Sequence, residues 1–303
     1  MCKIGRTTKI RVFFQSVLVT LIVGFTGCSD DKSPTNSTPN PGHIVFVSDR
    51  DGDHEIFRMN HDGSQVTRIT DNATDEYYAD ISKNGQSIAF TRWDGADIEI
   101  WTMKADGSNE IQLTNNAAGE DRPRWSGNGT KLCLSTDRDG NWEIYTMNPD
   151  GSSPANVTSS NSYDDDPHFS PDGNKIVFET DYDGDWEIYV VNTDGSGLIN
   201  LTNNDAHDED PNWSPDGTKI AFYSDRDGDS EIFVMNSDGT GVVQLTHNDS
   251  YDVDPYWSPD SKYIAFTSHR DNNAEVYVMK ADGTSQQNIT NNPAEDELPS
   301  WGP

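Results

Sequence analysis

The sequence predicts an all-β fold: one six-bladed β-propeller of four-stranded blades, closed by the C-terminal strand joining the N-terminal blade. Three observations carry this. The first is a strict repeat. Strand starts recur every 44 residues at Ile44, Ile88, Leu132, Ile176, Ile220 and Ile264, with no insertion. The second is the apolar pattern. Runs such as IAF at 220–222 and IFVM at 232–235 do not alternate with polar residues. Strands of that kind are buried on both faces, as radially stacked sheets require. The third is the tail. Leu298-Pro299-Ser300-Trp301-Gly302-Pro303 copies the first strand of a repeat with no companions after it, while the repeat opening at Ile44 lacks its first strand. Joining the two completes a blade and leaves no open sheet edge.

Each unit resolves into four strands. In the fifth, residues 220–224 form strand B, 231–236 strand C and 242–246 strand D, and 254–258 form strand A of the next blade. Pro-Asp-Gly and Ser-Asp-Gly supply hairpin turns. The Asp-Arg-Asp-Gly-Asp stretch joins B to C, and a longer polar loop joins D to the next A.

The 27 residues at the N-terminus read as an export leader. Lys3, Arg6, Lys9 and Arg11 precede a mainly apolar stretch over 12–27, too short for a comfortable membrane span. The leader ends Phe25-Thr26-Gly27-Cys28, which resembles a bacterial lipobox; the resemblance implies that Cys28 is lipidated and becomes the mature N-terminus. Residues 28–43 then read as the lipidated Cys and a Ser-, Pro- and Asn-rich flexible tether. The resemblance to bacterial lipoproteins implies that Ser29 after the Cys favours outer-membrane sorting, facing the periplasm or the cell exterior. Cys2 leaves with the leader, and Cys133 stands where other repeats have Val45, Ala89, Val177, Ala221 and Ala265. It is expected to be a small core residue, with no disulfide available.

The unit Trp213-Ser214-Pro215-Asp216-Gly217-Thr218-Lys219-Ile220-Ala221-Phe222, followed by Glu231-Ile232-Phe233-Val234-Met235-Asn236 and Asp238-Gly239, resembles the TolB-type propeller repeat. The resemblance covers residues 44–303. It implies a protein-binding propeller of the cell envelope. The stretch ahead of Ile44 reads as leader and tether, so the α/β domain that precedes the propeller in TolB is not expected.

Charge narrows the partners. The chain carries 52 acidic and 21 basic residues, a formal charge of −31; without the leader the balance is −35. Such a body repels a phosphate backbone, so nucleic acid is not expected. It attracts divalent cations and basic surfaces. Strand A runs from the D–A loop to the A–B turn, so the D–A loops and B–C turns share one rim. There Glu76, Glu120, Asp164, Asp208, Asp252 and Asp296 recur one per blade. They are the candidate metal ligands, with Ca²⁺ the candidate ion; the competing reading is that each organises its own loop through backbone N–H groups. Glu55, Glu99, Glu143, Glu187, Glu231 and Glu275 open every strand C and are expected to be hydrogen-bonding fixtures between blades.

Specificity is expected where repeats differ. Asp80, Arg124, His168, Asn212, Tyr256 and Ser300 occupy one position of strand A near the axis. Trp142 and Trp186 hold equivalent turns of adjacent blades, with Trp93 and Tyr182 on turns of the same kind. Together these are the candidate partner-binding residues, for a protein, peptide or glycan. Enzyme signals are thin: the seven histidines form no metal-ligand spacing and no phosphate loop opens a helix. The leading expectation is a monomeric, membrane-anchored binding or scaffold propeller. The alternative is a polysaccharide lyase or hydrolase with a channel metal and His168, Arg124 and Tyr256 as working groups.

Overall fold

A computed structural model of the chain describes residues 42–303, apart from 94 and 96. The leader, Cys28 and most of the tether lie outside the described residues. The rest forms six antiparallel four-stranded sheets. Blade V is representative: strand A is Asp208–Trp213, B Lys219–Ser224, C Glu231–Asn236 and D Val243–Gln244. Strand D is shorter than expected because each unit pairs only two of its residues with strand C.

Closure follows the expected route. Blade I takes its strand A from the tail, Asp296–Gly302, beside His43–Ser48, Glu55–Asn60 and Thr67–Arg68. Ile44 faces Trp301 and Ser48 faces Asp296 across that seam. The Glu295 N–H donates to Asp49 Oδ1 at 3.0 Å, reinforcing it.

Six apolar clusters hold the ring, and each joins two neighbouring blades. One packs Ile232, Val234 and Leu245 of blade V against Ile264, Phe266 and Met279 of blade VI. The seam has its own cluster, in which Ile44, Phe46 and Trp301 meet Ala265 and Val276. Strands B and C thus pack on both faces, the physical reason their apolar runs do not alternate. Cys133 is fully buried beside Ile176 and Phe178, filling the place of Val or Ala.

The Asp-Gly turns between strands C and D have a second duty. Gly239 has φ of +84°, and a Cβ there would stand 2.7 Å from the Leu201 carbonyl oxygen. Gly63 meets Ile289 in the same way across the seam between blades I and VI. Glycine serves both turn geometry and blade-to-blade backbone contact.

Strand A carries a bulge in every blade. Its ladder skips two residues, as between Glu209 and Asn212. Proline is the second skipped residue in five blades and has no N–H to give the ladder. The first skipped residue is left-handed in all six: Tyr78, Arg122, Asp166, Asp210, Asp254 and Leu298 have φ of 46–53°. That conformation is costly for Tyr, Arg and Leu, and it recurs on the innermost strand.

Candidate functional site

The bulges organise the channel into three layers along strand A. The bulge residues form the layer nearest the D–A loops. Asp80, Arg124, His168, Asn212, Tyr256 and Ser300 form the middle. Ile81, Trp125, Phe169, Trp213, Trp257 and Trp301 ring the opposite end, around a cavity of about 100 Å³.

The structure brings the six expected channel residues together and gives them tasks. Asp80 Oδ2 accepts the Trp125 N–H at 2.7 Å, Asn212 Oδ1 the Trp257 N–H at 2.9 Å and His168 Nδ1 the Trp213 N–H at 3.3 Å. Ser300 Oγ accepts the Ile81 N–H at 3.3 Å. Each staples one blade to the next. Tyr256 Oη and Ser300 Oγ also donate to Asp80, at 2.6 and 3.1 Å. His168 lies edge-on to Tyr256 with ring centroids 6.0 Å apart. Burial first, and then the Arg124 charge, push the His168 imidazole down to about 3. It therefore stays neutral near pH 7 and is a weak base there.

The charged centre sits in the bulge layer. Arg122 reaches Asp166, Asp210 at 3.1 Å and Asp165 at 3.4 Å, and its guanidinium lies 4.5 Å over the Tyr78 ring. Arg124 adds a longer contact of 3.7 Å to Asp166. Glu179 projects from strand B, where Glu179 Oε2 accepts the Asp210 N–H at 2.7 Å. Burial, then the nearby Asp210 charge, drive both Glu179 and Asp254 well above the usual carboxylate range. Among the described residues, Asp166, Glu179 and Asp210 offer ligand atoms within 4.8 Å of one another. The order of residues carries no sign that the bulge turns Asp166 and Asp210 inward.

The six rim acids expected as metal ligands do not converge. Each is buried inside its own blade. Arg226 and Asn204 hold Asp208, both at 2.6 Å; Arg138 and Asn116 hold Glu120, at 2.9 and 2.8 Å. The loop Asn also gives its N–H to the strand-C glutamate, as Asn204 does to Glu187 at 2.7 Å. These glutamates therefore tie strand C to the loop that crosses into the next blade. The physical reason is local: a carboxylate flanked by its own Arg and Asn has no need to reach the axis.

Several of these acids are poised to titrate. Burial raises Glu76, Glu99 and Glu231 to about 7. Such groups bind protons more tightly folded than unfolded, so their contribution is full below the unfolded carboxyl pKa and lost as pH rises through 7. Carboxyls held low by hydrogen bonds, such as Asp62 and Asp150, lose theirs only at more acid pH. The melting temperature is therefore expected to fall by roughly 5 °C or more between pH 5 and pH 8. Glu99→Gln should flatten that slope. A Tm that rises over this interval would contradict the assignment.

Trp142 and Trp186 are both partly exposed, and Tyr163 joins them. Its ring centroid is 5.9 Å from Trp142 and 5.4 Å from Trp186, forming one aromatic row across adjacent blades. Tyr163 escaped sequence reading because it lies in a variable loop. Trp93, expected on a turn, instead ends strand B of blade II, where it is exposed.

The TolB beta propeller domain matches residues 25–129, 118–206 and 166–303, which together span the folded part. The chain belongs to the TolB β-propeller domain family. Among solved structures, TolB from Acinetobacter baumannii is 19% identical with a TM-score of 0.75, over 86% of this chain and 67% of that one. A TolB from Agrobacterium tumefaciens is 20% identical with a TM-score of 0.69, over 82% and 88%. The Kuenenia stuttgartiensis hydrazine synthase shares the fold at 16% identity and a TM-score of 0.71, over 85% of this chain and 46% of that one. No curated protein matches the sequence. The TolB-type repeat thus accounts for the fold.

Proposed function

We propose that this chain is a lipid-anchored binding propeller of the cell envelope that receives a basic group of a protein partner at the acidic mouth of its channel. One observation carries the reading. Asp121, Asp165, Glu179, Asp210 and Asp254 crowd the bulge layer, and Arg122 is the main cation among them. Burial and mutual repulsion hold part of this surplus of acidic groups protonated, and an incoming cation is favoured because its charge would let them ionise. Family membership supports a protein-binding role and an envelope location. The aromatic row of Trp142, Tyr163 and Trp186 would supply apolar contact beside the charged centre.

Site-specific photo-crosslinking in native envelopes tests this. A probe at Tyr78 or Leu298, both lining the mouth, should capture one discrete protein. A probe at Val243, exposed on the outer strand of blade V, should not. Equal capture at both places would end the proposal. The anchor has its own check: Cys28→Ala should abolish fatty-acid labelling and release the protein from the membrane fraction.

The Asp166, Glu179 and Asp210 cluster is the proposed position for a divalent cation such as Ca²⁺, which would compete there with Arg122. At a hundredfold excess over its Kd, Ca²⁺ should stabilise the fold by about 2.7 kcal/mol. Identical melting midpoints with Ca²⁺ and with chelator would remove the metal from the account.

A further inference from the structure

In five blades an arginine pairs with the buried carboxylate that opens strand A. The pairs are Arg50 with Asp296, Arg92 with Glu76, Arg138 with Glu120, Arg226 with Asp208 and Arg270 with Asp252, at 2.6–2.9 Å. Four of these arginines hold one equivalent turn position. Their Nε–H donates to a hydroxyl ending strand B: Ser48 at 2.9 Å, Thr136 at 3.3 Å, Ser224 at 2.9 Å and Ser268 at 2.8 Å. The same guanidinium groups lie over aromatic rings of strands B and C, such as Phe222 and Phe233 at 5.5 and 4.7 Å. Carboxylate, hydroxyl and ring faces together make a guanidinium receptor.

Blade IV, with strands Asp164–Phe169, Lys175–Thr180, Glu187–Asn192 and Ile199–Asn200, keeps the receptor and changes the arginine. Tyr182 stands at the arginine position, and Ser160 replaces the loop Asn. Asp164 is 2% exposed and is held by hydroxyls alone: Ser160 Oγ donates at 3.1 Å, and Thr158 and Thr180 face it. Burial raises its carboxyl to about 6, so it is mostly ionised at neutral pH. Thr180 Oγ1 is buried and accepts from no donor among the described residues. Phe178 and Tyr189 provide the ring pair, 6.3 Å apart. Tyr182 does not fill the space. It is 56% exposed and leans on Tyr189 at 6.1 Å. A cavity of about 30 Å³ remains between Asp164, Phe178, Thr180 and Tyr182, enough for more than one water-sized group.

We propose that this pocket in blade IV is a binding site for an arginine side chain presented by a partner protein, which supplies from outside the guanidinium that five other blades carry within. The inference does not depend on the channel reading, because none of the mouth's bulge residues lines the pocket. Tyr182 at the entrance closes over the docked group. A lysine would give one point charge in place of a planar fork and would bind less well.

The test titrates Nα-acetyl-argininamide and Nα-acetyl-lysinamide into the full chain, read by NMR shifts of the Tyr182 ring and by calorimetry. The arginine compound should bind about tenfold more tightly than the lysine one. Asp164→Asn should abolish its binding. Tyr182→Arg should also abolish it, and should raise Tm by about 3 °C or more by filling the pocket from within. That variant adds a residue the repeat already accommodates, so its folding is not in question. Asp150→Asn, in an exposed turn of blade III, should leave binding unchanged. Equal affinity for the two compounds, binding that survives Tyr182→Arg, or binding lost in Asp150→Asn would each overturn the proposal.

Discussion

Deleting residues 296–303 is expected to abolish cooperative folding. The cut removes strand A of blade I, and with it the ladder from Ile44–Trp301 to Ser48–Asp296. It also takes away Trp301, which is 4% exposed in the seam cluster, and the 2.6 Å ion pair between Asp296 and Arg50. Strand B of blade I becomes an open edge, and the Ile44 and Phe46 side chains lose part of their cover. Circular dichroism should show loss of the sharp thermal transition, and size exclusion should show expanded or associated chains. A milder change keeps the test interpretable. Trp301→Ala should cost roughly 3–5 kcal/mol and leave a folded, less stable ring. If the truncated chain melted as sharply and as late as the parent, the tail would not be closing the ring.

Replacing Arg122 with Ala should be the most damaging single change at the channel. It leaves Asp165, Asp166 and Asp210 facing one another with only the distant Arg124 contact for relief. Stripping one partner from a buried charge cluster costs about 3–5 kcal/mol. The cost should depend on pH, with a definite sign. Without the guanidinium the carboxyls hold protons to higher pH, so the loss is greatest near pH 8 and shrinks toward pH 5. Ca²⁺ should restore more stability to this variant than to the parent, because its competitor is gone. Equal losses at both pH values would show that Arg122 acts through packing over Tyr78 and not through charge.

Most of the architecture could be read from the residues alone, since the repeat expresses it six times. A period of 44 residues, unbroken apolar runs in strands B and C, and an unpaired final strand leave few alternatives to a closed ring. The candidate site was only partly legible. Asp80, Arg124, His168, Asn212, Tyr256 and Ser300 could be placed near the axis by counting along strand A. Their role in stapling each blade to the next could not, because the acceptors serve N–H groups 45 residues further on or across the closing seam. The rim acids misled for a related reason. Recurrence in every blade suggested a ring, whereas five of the acids are satisfied by an arginine and an asparagine of their own neighbourhood and Asp164 by nearby hydroxyls.

By itself the sequence determined the strands, their order, the closure and the charge, because all of these follow from local periodicity and composition repeated along the chain. Only the tertiary structure decided which carboxylates meet. The bulge in strand A turns Asp166, Asp210 and Asp254 toward the axis, and the stacking of neighbouring blades brings Arg122 and Glu179 to them. Such encounters depend on a backbone angle and on the packing of separate sheets, and neither leaves a periodic mark in the order of residues.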